Sequence, residues 1–235
     1  MTRRNKAILI TGGSRRLGLA IARACLADKY NVIIHYRTSA QPAKRILHGL
    51  DKNEDRCFFI QGDLREHPER LIDQALSLPV SLEGLVNNAS VFTEGNLEDP
   101  DHFEDSIRVN ALAPMRLSQR FFEKVTKGWI VNITDANIYR PNKRFQNYRI
   151  SKLLLETLTF QQAFLYAPSV RVNAIAPGAI LKSPDSTPEY FKQLAEKIPL
   201  HRTGDLKSFI DAFQYLVKAK YVTGEILYVD GGWRL

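Results

Sequence analysis

Apolar positions along the chain fall into short unbroken runs that alternate with stretches of helical spacing. Ala7-Ile8-Leu9-Ile10, Val32-Ile33-Ile34, Cys57-Phe58-Phe59-Ile60, Leu85-Val86, Trp129-Ile130-Val131-Asn132-Ile133, Val170-Arg171-Val172-Asn173-Ala174-Ile175 and Ile226-Leu227-Tyr228-Val229 read as strands. Runs that are apolar almost throughout fit strands covered on both faces, as in a parallel sheet. Between them the spacing predicts helices over 17–28, 42–51, 68–77, 101–126, 147–166 and 206–218. Pro68 suits a helical first turn. A polar stretch runs from 135 to 144, and 179–200, rich in Pro, Ser and Lys, reads as a mobile lobe.

Alternating strands and helices imply right-handed βαβ crossovers, hence an α/β fold with a doubly wound parallel sheet of about seven strands, the Rossmann arrangement. The chain has no internal repeat, low-complexity tract or linker, so residues 1–235 are expected to form one domain. In such sheets ligands sit outside the carboxyl ends of the strands.

Composition narrows the picture. Of 235 residues, 44% are hydrophobic and 25% charged, ordinary globular values that exclude a disordered or collagenous chain. No run approaches the ~18 apolar residues of a membrane span. Met1-Thr2-Arg3-Arg4-Asn5-Lys6 leads into an apolar run too short for a signal-peptide core, so a cytoplasmic protein is expected. Cys25 and Cys57 are then most simply buried thiols. The net charge of +8 is scattered. Its densest group, Arg140-Pro141-Asn142-Lys143-Arg144, reads as a solvated loop or the rim of an anion site, and neither nucleic acid nor membrane is expected as a partner.

Thr11-Gly12-Gly13-Ser14-Arg15-Arg16-Leu17-Gly18 lies between the first strand and first helix. Glycines there let backbone approach a pyrophosphate, and the helix start offers unpaired N–H groups. After the second strand come His35-Tyr36-Arg37-Thr38-Ser39, with no Asp or Glu from Tyr30 through Leu50. A carboxylate there would hold a ribose hydroxyl, whereas Arg37 with two hydroxyls, and Arg15 opposite, suit a 2′-phosphate; the cofactor is expected to be NADP(H). Tyr148 and Lys152 stand four apart, on one face of a helix. A lysine cation beside a phenol is expected to lower its pKa and ready it as a proton donor.

These motifs together resemble the short-chain dehydrogenases/reductases over the whole chain. The first loop is similar to that family's Thr-Gly-x-x-x-Gly-x-Gly, except that Arg16 replaces the middle glycine, as in pteridine reductases. The resemblance implies that Gly12, Ser14, Arg15, Arg16, Leu17, Gly18, Tyr36, Arg37, Thr38, Ser39, Asp63, Leu64, Asn88, Ala89, Ser90, Pro177 and Gly178 line the cofactor site. Asp63 would meet the adenine, and Lys152 would hold the nicotinamide ribose. Asn110 would support Lys152 through water. The threonine the family often carries after Pro177-Gly178 is absent; Leu181-Lys182-Ser183 stands there. The last segment, Tyr221 to Gly232, resembles the family's final strand and subunit contact; the family is commonly tetrameric, so a homotetramer is implied.

Asp135, thirteen residues before Tyr148, stands where most short-chain reductases carry serine. A carboxylate cannot donate a hydrogen bond to a carbonyl and would repel an oxyanion unless protonated. It suits a substrate whose ring nitrogens gain protons. Thr134, one residue earlier, could instead take the serine's place. Asn88-Ala89-Ser90-Val91-Phe92 resembles the pteridine-reductase sequence in which the phenylalanine stacks on the pterin. Phe145 matches an aromatic position of the same pocket. The expectation is therefore NADPH-dependent reduction of a pterin or of dihydrofolate. Tyr148 and Asp135 would manage protons, with Arg16, Ser90, Phe92 and Phe145 beside the substrate and no metal. The alternatives are a carbonyl reductase of acyl-carrier thioesters, and a non-catalytic dinucleotide-sensing or RNA-binding module. Intact Tyr148, Lys152 and Asn110 speak against the last.

Overall fold

The computed structural model describes residues 5–47, 56–141, 143–182 and 187–235. Among these, seven strands form one parallel sheet: β1 (Lys6–Ile10), β2 (Asn31–Tyr36), β3 (Cys57–Gln61), β4 (Ser81–Asn87), β5 (Gly128–Ile133), β6 (Val170–Pro177) and β7 (Ile226–Val229). Their order is β3-β2-β1-β4-β5-β6-β7. The reversal between β1 and β4 is the switch point, where the strand ends splay to leave a crevice.

The helices are α1 (Arg16–Ala27), α2 (Gln41–Leu47), α3 (Arg70–Leu76), α4 (Pro100–Ile107), α5 (Ala113–Lys124), α6 (Gln146–Tyr166), α7 (Pro188–Glu196) and α8 (Leu206–Lys218). The predicted end of α2, residues 48–51, lies outside the described residues. The helix predicted over 101–126 is two helices joined by a π-helical turn, Arg108–Leu112. Pro114 brings no N–H to the carbonyl four residues earlier, that of Asn110, and the helix widens there. Pro68 lies in a turn ahead of α3 rather than in its first turn. The 179–200 stretch, read as a mobile lobe, carries α7, whose start is capped by Thr187 accepting from the Tyr190 N–H at 3.1 Å.

Two apolar layers hold the sheet. Ile8, Ile10, Ile34, Val131 and Ile175 pack with α1 and α8 on one face; Leu9, Ile33, Leu85, Ile130 and Val172 pack with Leu71, Leu117 and Phe121 on the other. This two-sided burial explains the unbroken apolar runs. Cys25 is buried in the first layer, and Cys57 is only half-buried. No described helix is long and apolar enough to cross a membrane.

Candidate active site

Most residues singled out for cofactor and substrate lie at or just beyond the carboxyl ends of β1, β2, β3, β4, β5 and β6. Thr11, buried at the end of β1, ties two strands: its Oγ1 accepts from the N–H groups of Asn88 (2.9 Å) and Ala89 (3.0 Å). Asn88 Nδ2 returns bonds to the carbonyls of Thr11 (2.9 Å) and Gly12 (3.1 Å). Gly12 sits at φ +60°, and a Cβ on it would stand 2.9 Å from Ala89 Cα. Only glycine meets both conditions, so the loop's tightness is a requirement of backbone geometry.

His35, which carries no recognisable motif, fixes the same loop. Its Nδ1 accepts from the Gly12 N–H at 3.3 Å, and its Nε2 donates to the Gly62 carbonyl at 3.1 Å. The ring is buried, and burial pushes its pKa below 6.5, so it acts as a neutral clamp across the ends of β1, β2 and β3. Its only sequence signal was a histidine inside a buried strand.

Arg15, Arg37 and Thr38 are exposed at the β1 and β2 ends, and Tyr36 and Ser39 half-buried beside them. Ser39 Oγ also accepts from the Gln41 N–H at the start of α2. Ser14 and Leu64 are buried. Asp63 accepts from the Arg65 N–H at 3.0 Å, and Arg65 bridges to Asp105 at 2.7 Å. Its carboxyl is thereby engaged in a turn and held below its ordinary pKa, burial notwithstanding.

Arg16 is exposed, and its guanidinium donates to the carbonyls of Lys182 (2.9 Å) and Leu181 (3.4 Å). It occupies φ +49°, the left-handed region that favours glycine. An arginine where related loops use glycine thus links the first loop to the segment leaving β6. Pro177 is buried at the end of β6, and Gly178 abuts Asp230, so that a Cβ on it would stand 2.8 Å from Asp230 Cα.

Tyr148 and Asp135 meet at the end of β5. The Tyr148 hydroxyl donates to Asp135 Oδ2 at 2.9 Å, and Asp135 Oδ1 accepts from the Asn137 N–H at 2.7 Å. Burial raises the Asp135 pKa against the opposing pull of these bonds and of Lys152 and Arg149. Tyr148, 8% exposed, is pushed well above 10, first by burial and then by Asp135. That direction is opposite to the lowering expected from Lys152. The Lys152 ammonium donates instead to the Ile133 carbonyl at 2.8 Å, 5.8 Å from the Tyr148 ring centroid, and burial brings its pKa down to about 8.

Thr134 is buried, and its hydroxyl donates into the sheet, to the Ile175 carbonyl at 3.3 Å. It therefore does not stand in for the missing serine. Asn110 sits in the π-helical turn. Its amide donates to the Val91 carbonyl (3.0 Å) and Ser151 Oγ (2.9 Å), while its oxygen accepts from the Val91 N–H (2.8 Å) and Ser90 Oγ (3.0 Å). It anchors the β4–α4 loop to α6. Arg149, unremarked in the sequence, is buried beside Tyr148 with Nη1 unpartnered among the described residues, and it faces the Asp135–Tyr148 pair.

Phe92 is 59% exposed. It stacks on Phe145 (centroids 4.5 Å, 10° between planes) and meets Tyr148 edge-on at 4.6 Å. The Gly95 N–H bonds the Arg144 carbonyl at 2.9 Å and the Gln146 N–H bonds the Gly95 carbonyl at 3.1 Å, stapling the Phe92 loop to the start of α6. The result is an aromatic platform beside a recessed phenol–carboxylate pair. Of the basic group at 140–144, Arg144 pairs with Glu94, and Asn142 lies outside the described residues. No metal-holding cluster of His, Cys, Asp or Glu is found among the described residues.

Comparison with known proteins adds independent findings. The family model "short chain dehydrogenase" matches residues 6–192. A dihydromonapterin reductase of Shigella sonnei is 31% identical over 97% of this chain and 96% of its own length. One from Escherichia coli is 31% identical with the same coverage. Among solved structures, the FolM alternative dihydrofolate reductase 1 from Brucella suis, in complex with NADP, superposes with a TM-score of 0.92 at 31% identity, covering 99% of this chain and 96% of that one.

Proposed function

The chain belongs to the short-chain dehydrogenase family, and from that premise we propose that it is an NADP(H)-dependent reductase of pterins or dihydrofolate. The observation that carries this reading is the Tyr148–Asp135 hydrogen bond of 2.9 Å beneath the Phe92–Phe145 stack. A carboxyl with a raised pKa, paired to a phenol, can supply a proton to a ring nitrogen; a flat heterocycle finds a π face beside it. The names of the relatives point the same way.

The residues present fit the dinucleotide. Gly12 lets the first loop pack tightly against Ala89, and α1 begins directly behind that loop, where helix-start N–H groups suit a phosphate. Arg37, Thr38 and Ser39, with Arg15 across the loop, are the donor set for a 2′-phosphate, and no carboxylate follows β2 to repel it. The remaining cofactor side is assigned to Ser14, Leu17, Gly18, Tyr36, Asp63, Leu64, Asn88, Ala89, Ser90, Pro177 and Gly178. When bound, the reduced nicotinamide supplies a hydride, two electrons and no proton. The chain's own part is to hold the ring against Phe92 and to deliver the proton. Tyr148 or Asp135 releases it to the nitrogen beside the carbon that receives the hydride. Lys152, fixed by the Ile133 carbonyl, holds the ribose; Asn110 keeps the Phe92 loop in place.

The reading extends to a single working domain over 1–235, with 179–200 as the substrate lobe, in the cytoplasm. A homotetramer is supported by apolar side chains on α5 and α6 that meet solvent, among them Phe122, Phe160, Leu165 and Phe164, the last 84% exposed. The test is NADPH oxidation with dihydromonapterin, dihydrobiopterin, dihydrofolate and a β-keto thioester in parallel. Turnover of a pterin or dihydrofolate is expected; turnover of the thioester alone would overturn the reading.

A further inference from the structure

Glu156 is a buried carboxyl that the reaction as described leaves unused. It lies one helical turn beyond Lys152 and two beyond Tyr148, on the same face of α6. Only 2% of its surface is exposed. Its Oε2 accepts from the Tyr139 hydroxyl and, at 3.4 Å, from the Tyr228 hydroxyl; those two hydroxyls are 3.2 Å apart. Its Oε1 is buried with no partner among the described residues. Thr134, the residue directly before Asp135, lies within hydrogen-bond reach of it, and the Asp135 charge acts on it. Arg234 lies over the Tyr228 ring, 4.0 Å from its centroid. Among the described residues, Tyr139, Tyr228 and Asp135 act on Glu156, and Lys152 stands one turn back on its own helix.

A buried carboxylate oxygen without a donor is costly, and a proton on it removes that cost. Burial raises the Glu156 pKa against the opposing pull of the Tyr139, Thr134 and Tyr228 hydroxyls, and Asp135 adds to the rise. Tyr139, bonded to Glu156, is 54% exposed, so the cluster opens to water through that hydroxyl. The chemistry creates a demand there. A hydride brings no proton, so each turnover takes one from the recessed Asp135–Tyr148 pair.

We propose that Glu156 is the proton reserve of the reaction, returning to the Asp135–Tyr148 pair the proton given to the substrate nitrogen and refilled from water through the Tyr139 hydroxyl. The steps balance. One proton leaves the pair for the nitrogen, one leaves Glu156 for the pair, and one enters from water; no electrons move among these groups. Glu156 touches neither substrate nor cofactor. The inference rests on the proposed pterin or dihydrofolate reduction.

The experiment compares single-turnover and steady-state NADPH oxidation by the full-length protein, as wild type, Glu156→Gln, Glu156→Asp and Tyr139→Phe. Glu156→Gln is expected to leave the first turnover and KM near wild type and to slow steady-state turnover by about tenfold or more. Small acids such as imidazolium should restore the rate, as should Glu156→Asp, and the solvent deuterium effect on kcat should grow. Tyr139→Phe, a half-exposed change that the fold tolerates more readily, should give the same deficit. Wild-type steady-state rates in both Glu156→Gln and Tyr139→Phe would overturn the proposal. So would a first turnover that falls in parallel with steady state and ignores added acid, which is the mark of a structural role. A wild-type protein that oxidises NADPH with a β-keto thioester but with no pterin or dihydrofolate would remove the underlying reading and the reserve with it.

Discussion

Replacing Asp135 with asparagine separates proton delivery from shape. Asparagine has the same outline, and its oxygen can still accept the Asn137 N–H, which Asp135 now takes at 2.7 Å. It cannot hold and release a carboxylic proton. The bond from Tyr148 loses its charged acceptor, and hydrogen bonds to charged groups contribute about 1.5–3 kcal/mol. Without that charge beside it the Tyr148 pKa should come down from its raised position, while burial continues to hold it up. Loss of the proton donor should lower kcat by about 10²–10⁴-fold, the span of general acid catalysis. The pH profile carries the sign. Asp135 donates only while protonated, and burial raises its pKa above 3.8. In wild type, kcat/KM for a dihydropterin should therefore decline as pH rises through that raised pKa. In Asp135→Asn this limb should vanish, and any remaining limb should belong to Tyr148. The assay is loss of the reduced-nicotinamide absorbance across pH 5–9, with Asp135→Ser alongside. Asp135→Asn within a few-fold of wild type and with an unchanged profile would refute the reasoning. So would Asp135→Ser retaining full pterin turnover.

Gly12→Ala places a Cβ 2.9 Å from the Ala89 backbone at φ +60°; NADPH affinity by fluorescence titration should drop about tenfold or more, since left-handed geometry alone costs ~1–2 kcal/mol, and unchanged affinity would refute the cradle. Arg16→Gly relieves that strain but removes the bonds to Leu181 and Lys182; the substrate KM should rise while thermal stability holds, and a loss confined to NADPH binding would return Arg16 to the phosphates. His35 titrates below 6.5 in the fold, so the unfolded chain binds the extra proton first; stability should fall as pH drops through about 6.5, and His35→Gln should flatten that dependence in melting curves at pH 7.5 and 5.5. Phe164→Glu puts a charge on the exposed face of α6; light scattering should show a smaller assembly than wild type, and an unchanged mass would place the subunit contact elsewhere.

The sequence by itself determined the sheet and the position of the chemistry. Strands apolar on both faces can only be covered by helices on two sides, and the alternation leaves one crossover hand. Gly12, Tyr148, Lys152 and Asp135 were legible because each answers to a local rule: a glycine between strand and helix, a four-residue helical spacing, a carboxyl where a hydroxyl is usual. What each side chain touches was decided only by the tertiary structure, because those partners come from elements far apart in the chain. Arg16 reaches residues 181 and 182, Asn110 reaches 91 and 151, and His35 spans 12 and 62. The Tyr148 pKa moved up rather than down for the same reason: burial and Asp135, brought together by packing, act on the phenol more strongly than the lysine four residues along its own helix.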